Sequence, residues 1–316
     1  MSFQFPTSSQ KVTRQIQYFA ETAGYAAIVT DPQLINAGII STNDISLNID
    51  HESVRIQGSR KQYADIKMGV EATFTMNYRL LDTKLLTYGI SDPAGAGTLG
   101  ESLAFVFAQK INNVEEFCIA RGCVTESVTI NFDRVPNINQ TFYTPSLSEW
   151  LTLTQFRVAL SINPTTGTPK FAAAITAEPW THLTGTSGSA SAITINGTAA
   201  DVAKMTVTIN NNLFKQKPLG YAAVRYVEAG NKVVTVSIEP YLYDNTHFFL
   251  VQNFTLTDIV GTLKTGSPNV DLTVSGCKLN SYSRKGDAGG GGGGGSDFDT
   301  TPIAGTAVDC TVTAFP

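Results

Sequence analysis

Val70-Glu-Ala-Thr-Phe-Thr-Met-Asn-Tyr-Arg-Leu80 alternates without a break. Val70, Ala72, Phe74, Met76, Tyr78 and Leu80 fall on one side, and Glu71, Thr73, Thr75, Asn77 and Arg79 on the other. Successive side chains of a strand point to opposite faces, so this pattern predicts a long strand buried on one face only. Residues 232–239 read the same way, with Val234, Val236 and Ile238 opposing Thr235, Ser237 and Glu239. Shorter strand signals cover 45–49, 124–130, 151–160, 193–195, 206–209, 272–274 and 308–312. Helices are expected over 83–89, 99–116 and 245–254. Loops rich in Gly and small residues are expected over 93–100 and 184–191. The fold class is therefore all-β with minor α.

The neighbourhood of the first alternating strand returns later in the chain. Gly58, Gly69 and Asp82 have counterparts in Gly220, Gly230 and Asp244, at offsets of 162, 161 and 162 residues. Aligned on the two aspartates, Phe74 and Met76 meet Val236 and Ile238, while Thr73 and Thr75 meet Thr235 and Ser237. Ile45-Ser-Leu-Asn-Ile precedes one copy and Thr206-Val-Thr-Ile-Asn the other. Further on, Gly122-Cys123 and Ser127 match Gly276-Cys277 and Ser281 at an offset of 154. Landmarks kept in order and nearly in register point to an internal duplication. Each copy reads as a hairpin with glycines at its turns, followed by a short helix. An isolated hairpin is marginal, so it is expected to join a larger sheet. The expected layout is an arm over 1–15, a first domain over 16–145 and a second over 146–316.

Composition narrows the function classes. Apolar residues make up 42% of the 316, enough for a packed core. Charged residues are only 15%, with Thr, Ser and Asn in their place, which suits strands whose outer face is polar and uncharged. Low surface charge gives little repulsion between copies. The net charge of −4 argues against tight DNA binding, which phosphate neutralisation dominates. Residues 1–15 lack the apolar stretch of a signal peptide, and no apolar run reaches a membrane span.

Point chemistry is hard to find. Cys118, Cys123, Cys277 and Cys310 form no zinc framework and are read as buried thiols, with a Cys118–Cys123 bridge as the alternative. His51, His182 and His247 lie in no ligand motif. The seven glycines of 289–295 are followed by Ser-Asp-Phe-Asp rather than the Lys-Ser/Thr of a phosphate loop, so they read as a flexible surface loop. Asp287, Asp297, Asp299 and Asp309 do not fit an EF-hand spacing. No nucleophile elbow, zincin motif or catalytic carboxylate pair stands out. Neither a catalytic residue, a metal nor a cofactor is expected. Phe3 and Phe5 in the polar arm are candidate anchors on a neighbouring copy.

In this order, Tyr18-Phe-Ala-Glu21-Thr-Ala-Gly24, Gly58-Ser-Arg60, Gly69 with its alternating strand, Met205-Thr-Val-Thr-Ile-Asn-Asn-Asn212-Leu and Ser275-Gly276-Cys277 resemble the landmarks of tail tube proteins of long-tailed viruses. The resemblance covers about residues 15–285; the glycine run departs from it. It implies two tandem β-sandwich or barrel-like tube domains whose long hairpins join those of neighbours around a lumen. It further implies rings of three chains with pseudo-sixfold symmetry, stacked into a virion tail tube through which viral DNA passes. The chain would be made in the host cytoplasm, and the tape measure protein and other tail proteins would be partners. On that reading Glu71, Thr73, Thr75, Asn77, Arg79, Thr235, Ser237 and Glu239 line the lumen. A β-rich fibre or carbohydrate-binding module is the alternative; exposed aromatics would support it, but Trp150 and Trp180 are only two and lie between the repeats.

Overall fold

The computed structural model describes residues 13–21, 29–37, 39–55, 62–79, 84–90, 102–111, 114–132, 136–171, 193–217, 224, 226–228, 230–240, 252–253, 255–264, 270–282 and 303–312, with the backbone alone over 39–55 and 62–71 and at several element ends, Arg79 among them. The arm with Phe3 and Phe5, Gly58, the glycine run, Asp287, Asp297, Asp299, Trp180 and nearly all of the helix expected over 245–254 lie outside these residues.

The strands are β1 (Thr13–Glu21), β2 (Gln33–Asn36), β3 (Ile39–Arg55), β4 (Gln62–Arg79), β5 (Ser102–Ile111), β6 (Val114–Phe132), β7 (Asn137–Thr144), β8 (Ser146–Leu147), β9 (Lys170–Phe171), β10 (Ile193–Ile195), β11 (Thr198–Ala199), β12 (Val202–Asn210), β13 (Phe214–Gln216), β14 (Tyr226–Glu228), β15 (Val233–Pro240), β16 (Leu256–Lys264), β17 (Val270–Tyr282), β18 (Ile303–Ala307) and β19 (Asp309–Val312). Among the described residues two short helices join them, α1 (Lys84–Ile90) and α2 (Leu153–Ala159). The fold is all-β, as the alternation implied. Among the described strands the main sheet does not close into a barrel, which leaves the layered one of the two expected unit shapes.

The alternating strand lies where its pattern puts it. Ala72, Phe74, Met76 and Tyr78 are buried, and Thr73, Thr75 and Asn77 are half-buried on the other face. Phe74 stacks on Phe142 of β7 at 5.0 Å and meets Phe105 and Phe107 of β5 edge-on at 4.9 and 5.2 Å. These rings hold two β layers together, each pair adding about 0.5–1.5 kcal/mol beyond its burial.

Three expectations need correction. Residues 102–111 are strand β5 rather than helix, with Ser102 to Gln109 all buried. Residues 153–159 are helix α2 rather than strand. Thr152 caps it, its hydroxyl and amide bonding to Gln155 in a capping box, and Phe156 stacks on Phe117 at 4.4 Å. Gly69 is not a turn: β4 runs through it, and the register slips from Asp50–Gly69 to His51–Lys67, leaving Met68 as an extra residue in a bulge.

Pairing across the chain follows one scheme twice. In the first half β3 pairs β4, β4 pairs β7 and β7 pairs β6. In the second half β12 pairs β15, β15 pairs β18 and β18 pairs β17. The opposite layer runs β1–β5–β6–β8 in one half and β10–β16–β17–β19 in the other. Registers agree residue by residue: Leu103–Cys123 and Phe105–Ala120 in the first half, Thr257–Cys277 and Ile259–Val274 in the second, with a register shift at the same place. Both β6 and β17 cross from one layer to the other at a glycine of positive φ, Gly122 at 66° and Gly276 at 63°. That left-handed conformation disfavours a side chain by about 1–2 kcal/mol. A carboxylate secures each crossing. Buried Glu21 accepts from the Gly122 N–H at 3.0 Å, and Asp258 accepts from the Gly276 N–H at 2.8 Å. The two halves join where β6 pairs antiparallel with β12, Val128 opposite Ile209 and Thr129 opposite Thr208.

Candidate functional surface: a polar sheet face

Eight strands follow one another in the larger layer, in the order β3, β4, β7, β6, β12, β15, β18 and β17. Cross-strand register sets one row over all of them: Thr42, Asn77, Asn139, Thr129, Thr208, Thr235, Thr306 and Lys278. Seven of the eight are uncharged and polar. The flanking rows hold Thr75, Thr141, Ser127 and Asn210 on one side, and Asn137, Asn131, Thr206 and Ser237 on the other. The residues under this face are apolar and buried, among them Phe142, Val128, Ile130, Met205, Val207, Val236 and Ile238.

Hydroxyls and amides bond to one another along the face. Thr75 Oγ1 lies 3.0 Å from Thr141 Oγ1, and the Thr206 hydroxyl donates to Asn131 Oδ1 at 3.0 Å. Thr129 and Thr208 hydroxyls stand 3.4 Å apart across the junction of the two halves. The hairpin of β13 and β14 covers one end of the face. There Val224 and Val227 pack on Tyr143, and Lys215 Nζ lies 4.0 Å over the Tyr143 ring while pairing with Glu126 at 3.4 Å.

Six of the eight lumen candidates, Thr73, Thr75, Asn77, Thr235, Ser237 and Glu239, have described side chains, and all belong to this layer's outward positions. The side chains of Glu71 and Arg79 lie outside the described residues. Sequence reading missed Thr129, Asn131, Asn139, Thr141, Thr206 and Thr208. Their signal was present: Val128-Thr-Ile-Asn131 and Val207-Thr-Ile-Asn210 are identical alternating strings that face each other antiparallel.

The junction between halves is closed by the C-terminal end of α1. The buried Asn211 side chain donates to the Gly89 carbonyl at 3.2 Å and to the Thr125 carbonyl at 3.0 Å. Lys232 Nζ donates to the Ile90 carbonyl at 2.9 Å and to Asp309 at 2.7 Å. The Lys232 hydrogen bond holds the Asp309 carboxyl below the usual carboxylate range. Beneath α1, buried Gln140 accepts from Tyr78 Oη at 2.6 Å and donates to Thr125 Oγ1 at 2.9 Å.

All four cysteines are buried free thiols, so the alternative of a Cys118–Cys123 bridge is not realised. Burial pushes the thiols of Cys277 and Cys310 up to about 12 and raises those of Cys118 and Cys123 as well. The thiolate is the reactive form. The folded protein at pH 8 should therefore show no fast reaction with a colorimetric disulfide reagent, and all four thiols should react in guanidinium. A fast native phase would mean that a thiol is exposed.

Among the described residues, no group of three or more His, Cys, Asp or Glu is placed to hold a metal ion, and no helix is long and apolar enough to cross a membrane. Among the described residues, this all-β scaffold spreads hydroxyls and amides over one sheet face. A family model described as phage tail tube protein matches residues 4–314, and the chain belongs to that family. Membership assigns it a structural role in the virion tail, in assembly with itself and with other tail components. No curated protein matches it in sequence comparison.

Proposed function

We propose that this protein is the repeating unit of a hollow tail tube, and that its polar sheet face lines the channel through which viral DNA passes. The uncharged row crossing both halves of the chain carries the reading. DNA held by cationic side chains is retained by phosphate neutralisation, and a wall of hydroxyls and amides offers none. Charge is kept to the margins: Lys278 ends the central row, Asp44 stands at the β3 end of a flanking row, and Lys204 and Glu239 pair at the far end of β12 and β15. Thr73, Thr75, Asn77, Thr235, Ser237 and Glu239 are the lumen residues on this reading, with Glu71 and Arg79 assigned by alternation alone.

We further infer that the recurring pairing scheme is a duplication, with units over 16–145 and 146–316. β8 and the stretch around α2, which these bounds give to the second unit, pack onto the first. Two units per chain make three chains a ring of six units, and cyclic closure permits the heterologous contacts this needs. Rings then stack, with the tape measure protein and other tail proteins as partners.

Electron microscopy of the purified chain tests this. Hollow tubes whose end-on averages have six lobes are expected, and a monodisperse monomer at high concentration, unchanged by tail-tip seeds, would overturn it. The lumen assignment has its own test. Thr75→Lys or Ser237→Lys should leave folding and tube formation intact and lower phage infectivity by slowing DNA exit. Wild-type infectivity from either variant would remove the face from the channel.

A further inference from the structure

The β6–β12 junction is an instance of one half's trailing strand meeting the next half's leading strand. By pairing pattern, β17 corresponds to β6 and β3 to β12. Those two strands are the outer ones of the eight-strand layer. Among the described strands, β3 pairs with β4 alone, and Leu279–Tyr282 of β17 pair with β18 alone. A strand edge with unused N–H and C=O groups is a template for another strand.

The correspondence is close enough to carry a register. In β6, Thr125 and Ser127 pair Phe142 and Thr141 around an extra residue, Glu126. In β17, Leu279 and Ser281 pair Gly305 and Ala304 around Asn280 in the same way. In β12, Val207 opposes Val236 as Ile45 opposes Phe74 in β3. Across the junction Ser127 faces Asn210 and Val128 faces Ile209. The matching positions at the outer edges are Ser281 with Asn48, and Tyr282 with Leu47.

We propose that a second copy of this chain docks by antiparallel addition of Leu279–Tyr282 against β3, Ser281 opposite Asn48 and Tyr282 opposite Leu47. The contact between copies then repeats the one inside each copy and continues the polar face without a break. This rests on the self-assembly reading above and adds which edges meet and in what register. The two kinds of seam differ in chemistry. Inside the chain Asn211 and Lys232 bond the terminal carbonyls of α1. The positions that match them in the first half are Ile49 and Val70, whose side chains carry no donor. The seam between copies therefore lacks that lock and is the one that opens first when tubes are dissociated.

The test is thiol cross-linking of assembled tubes. Directly opposed Cβ atoms are about 4.5–5.5 Å apart and diagonal ones about 7–8 Å. A Ser281→Cys/Asn48→Cys variant treated with a mild oxidant should give a ladder of covalent chain multiples, about tenfold faster than Ser281→Cys/Asp50→Cys, while each single variant stays monomeric on a denaturing gel. Tubes that cross-link faster through Asp50, or through neither pair, overturn the register and leave self-assembly standing. Absence of tubes from the unsubstituted chain overturns both. Hydrogen exchange on unsubstituted protein covers the case in which the double variant does not assemble: amides within 279–282 and 47–50 should gain protection on assembly, and unchanged protection in intact tubes overturns the proposal.

Discussion

Phe74→Asp should yield no folded protein. Phe74 is 1% exposed, and its ring touches three other phenylalanines from the two facing layers. A carboxylate there has no partner: left charged it costs more than the 5–15 kcal/mol by which domains are stable, and protonated it still buries an unsatisfied polar group in a cavity left by the ring. Phe74→Ala isolates the packing contribution. Truncating a buried Phe costs about 3–5 kcal/mol through lost burial and a residual cavity. Denaturant unfolding followed by far-ultraviolet circular dichroism checks both: insoluble or unfolded Asp variant, and Ala variant with a lowered midpoint and unchanged slope. A cooperatively melting Asp variant would place Phe74 outside the core.

The second large effect is expected at Gly305. This residue sits in β18 between Val236 of β15 and Leu279 of β17. A Cβ there would lie 2.3 Å from the Lys278 carbonyl oxygen and 2.9 Å from Leu279 Cα. Both are backbone atoms, so no side chain can rotate away, and β17 has to separate from β18. Gly305→Ala should cost about 1–3 kcal/mol, the usual scale of overpacking. Its larger consequence is for assembly, because the displaced segment is the edge proposed to receive the next copy. Tubes should be lost at a protein concentration where the variant is still folded, as read by parallel microscopy and unfolding curves. Tubes formed at wild-type concentration would show that the edge tolerates displacement, or plays no part.

Much of this molecule can be read from period two. β4 and β15 were found with their buried faces assigned correctly, because one side of each meets the core and the other does not. The reading failed where that asymmetry is absent. Ser102-Leu-Ala-Phe-Val-Phe-Ala-Gln109 is buried on both faces, so nothing alternates and the run looks like a helix segment. Leu151-Thr-Leu-Thr alternates by accident, yet Thr152 and Gln155 stand three apart as a capping box and would have marked the helix start. Gly69 reads as a turn glycine by residue type, although glycine inside a strand pattern also marks a bulge, which is what β4 has beside it. The candidate face was half legible for a related reason. Thr129 and Thr208 alternate as cleanly as Thr75, but only the pairing of β6 with β12 makes them neighbours, and contact between strands distant in sequence leaves no local trace.

The covalent link across the β6–β12 junction has a consequence for the kinetics of growth. Two units tethered in one chain meet at an effective concentration set by the tether, on the order of millimolar for a short one, whatever the protein concentration in the cell. In the ring of paired units proposed above, every second contact is of this tethered kind. Mass action then governs only the remaining half, which lowers the reaction order of nucleation and with it the concentration at which the first closed layer appears.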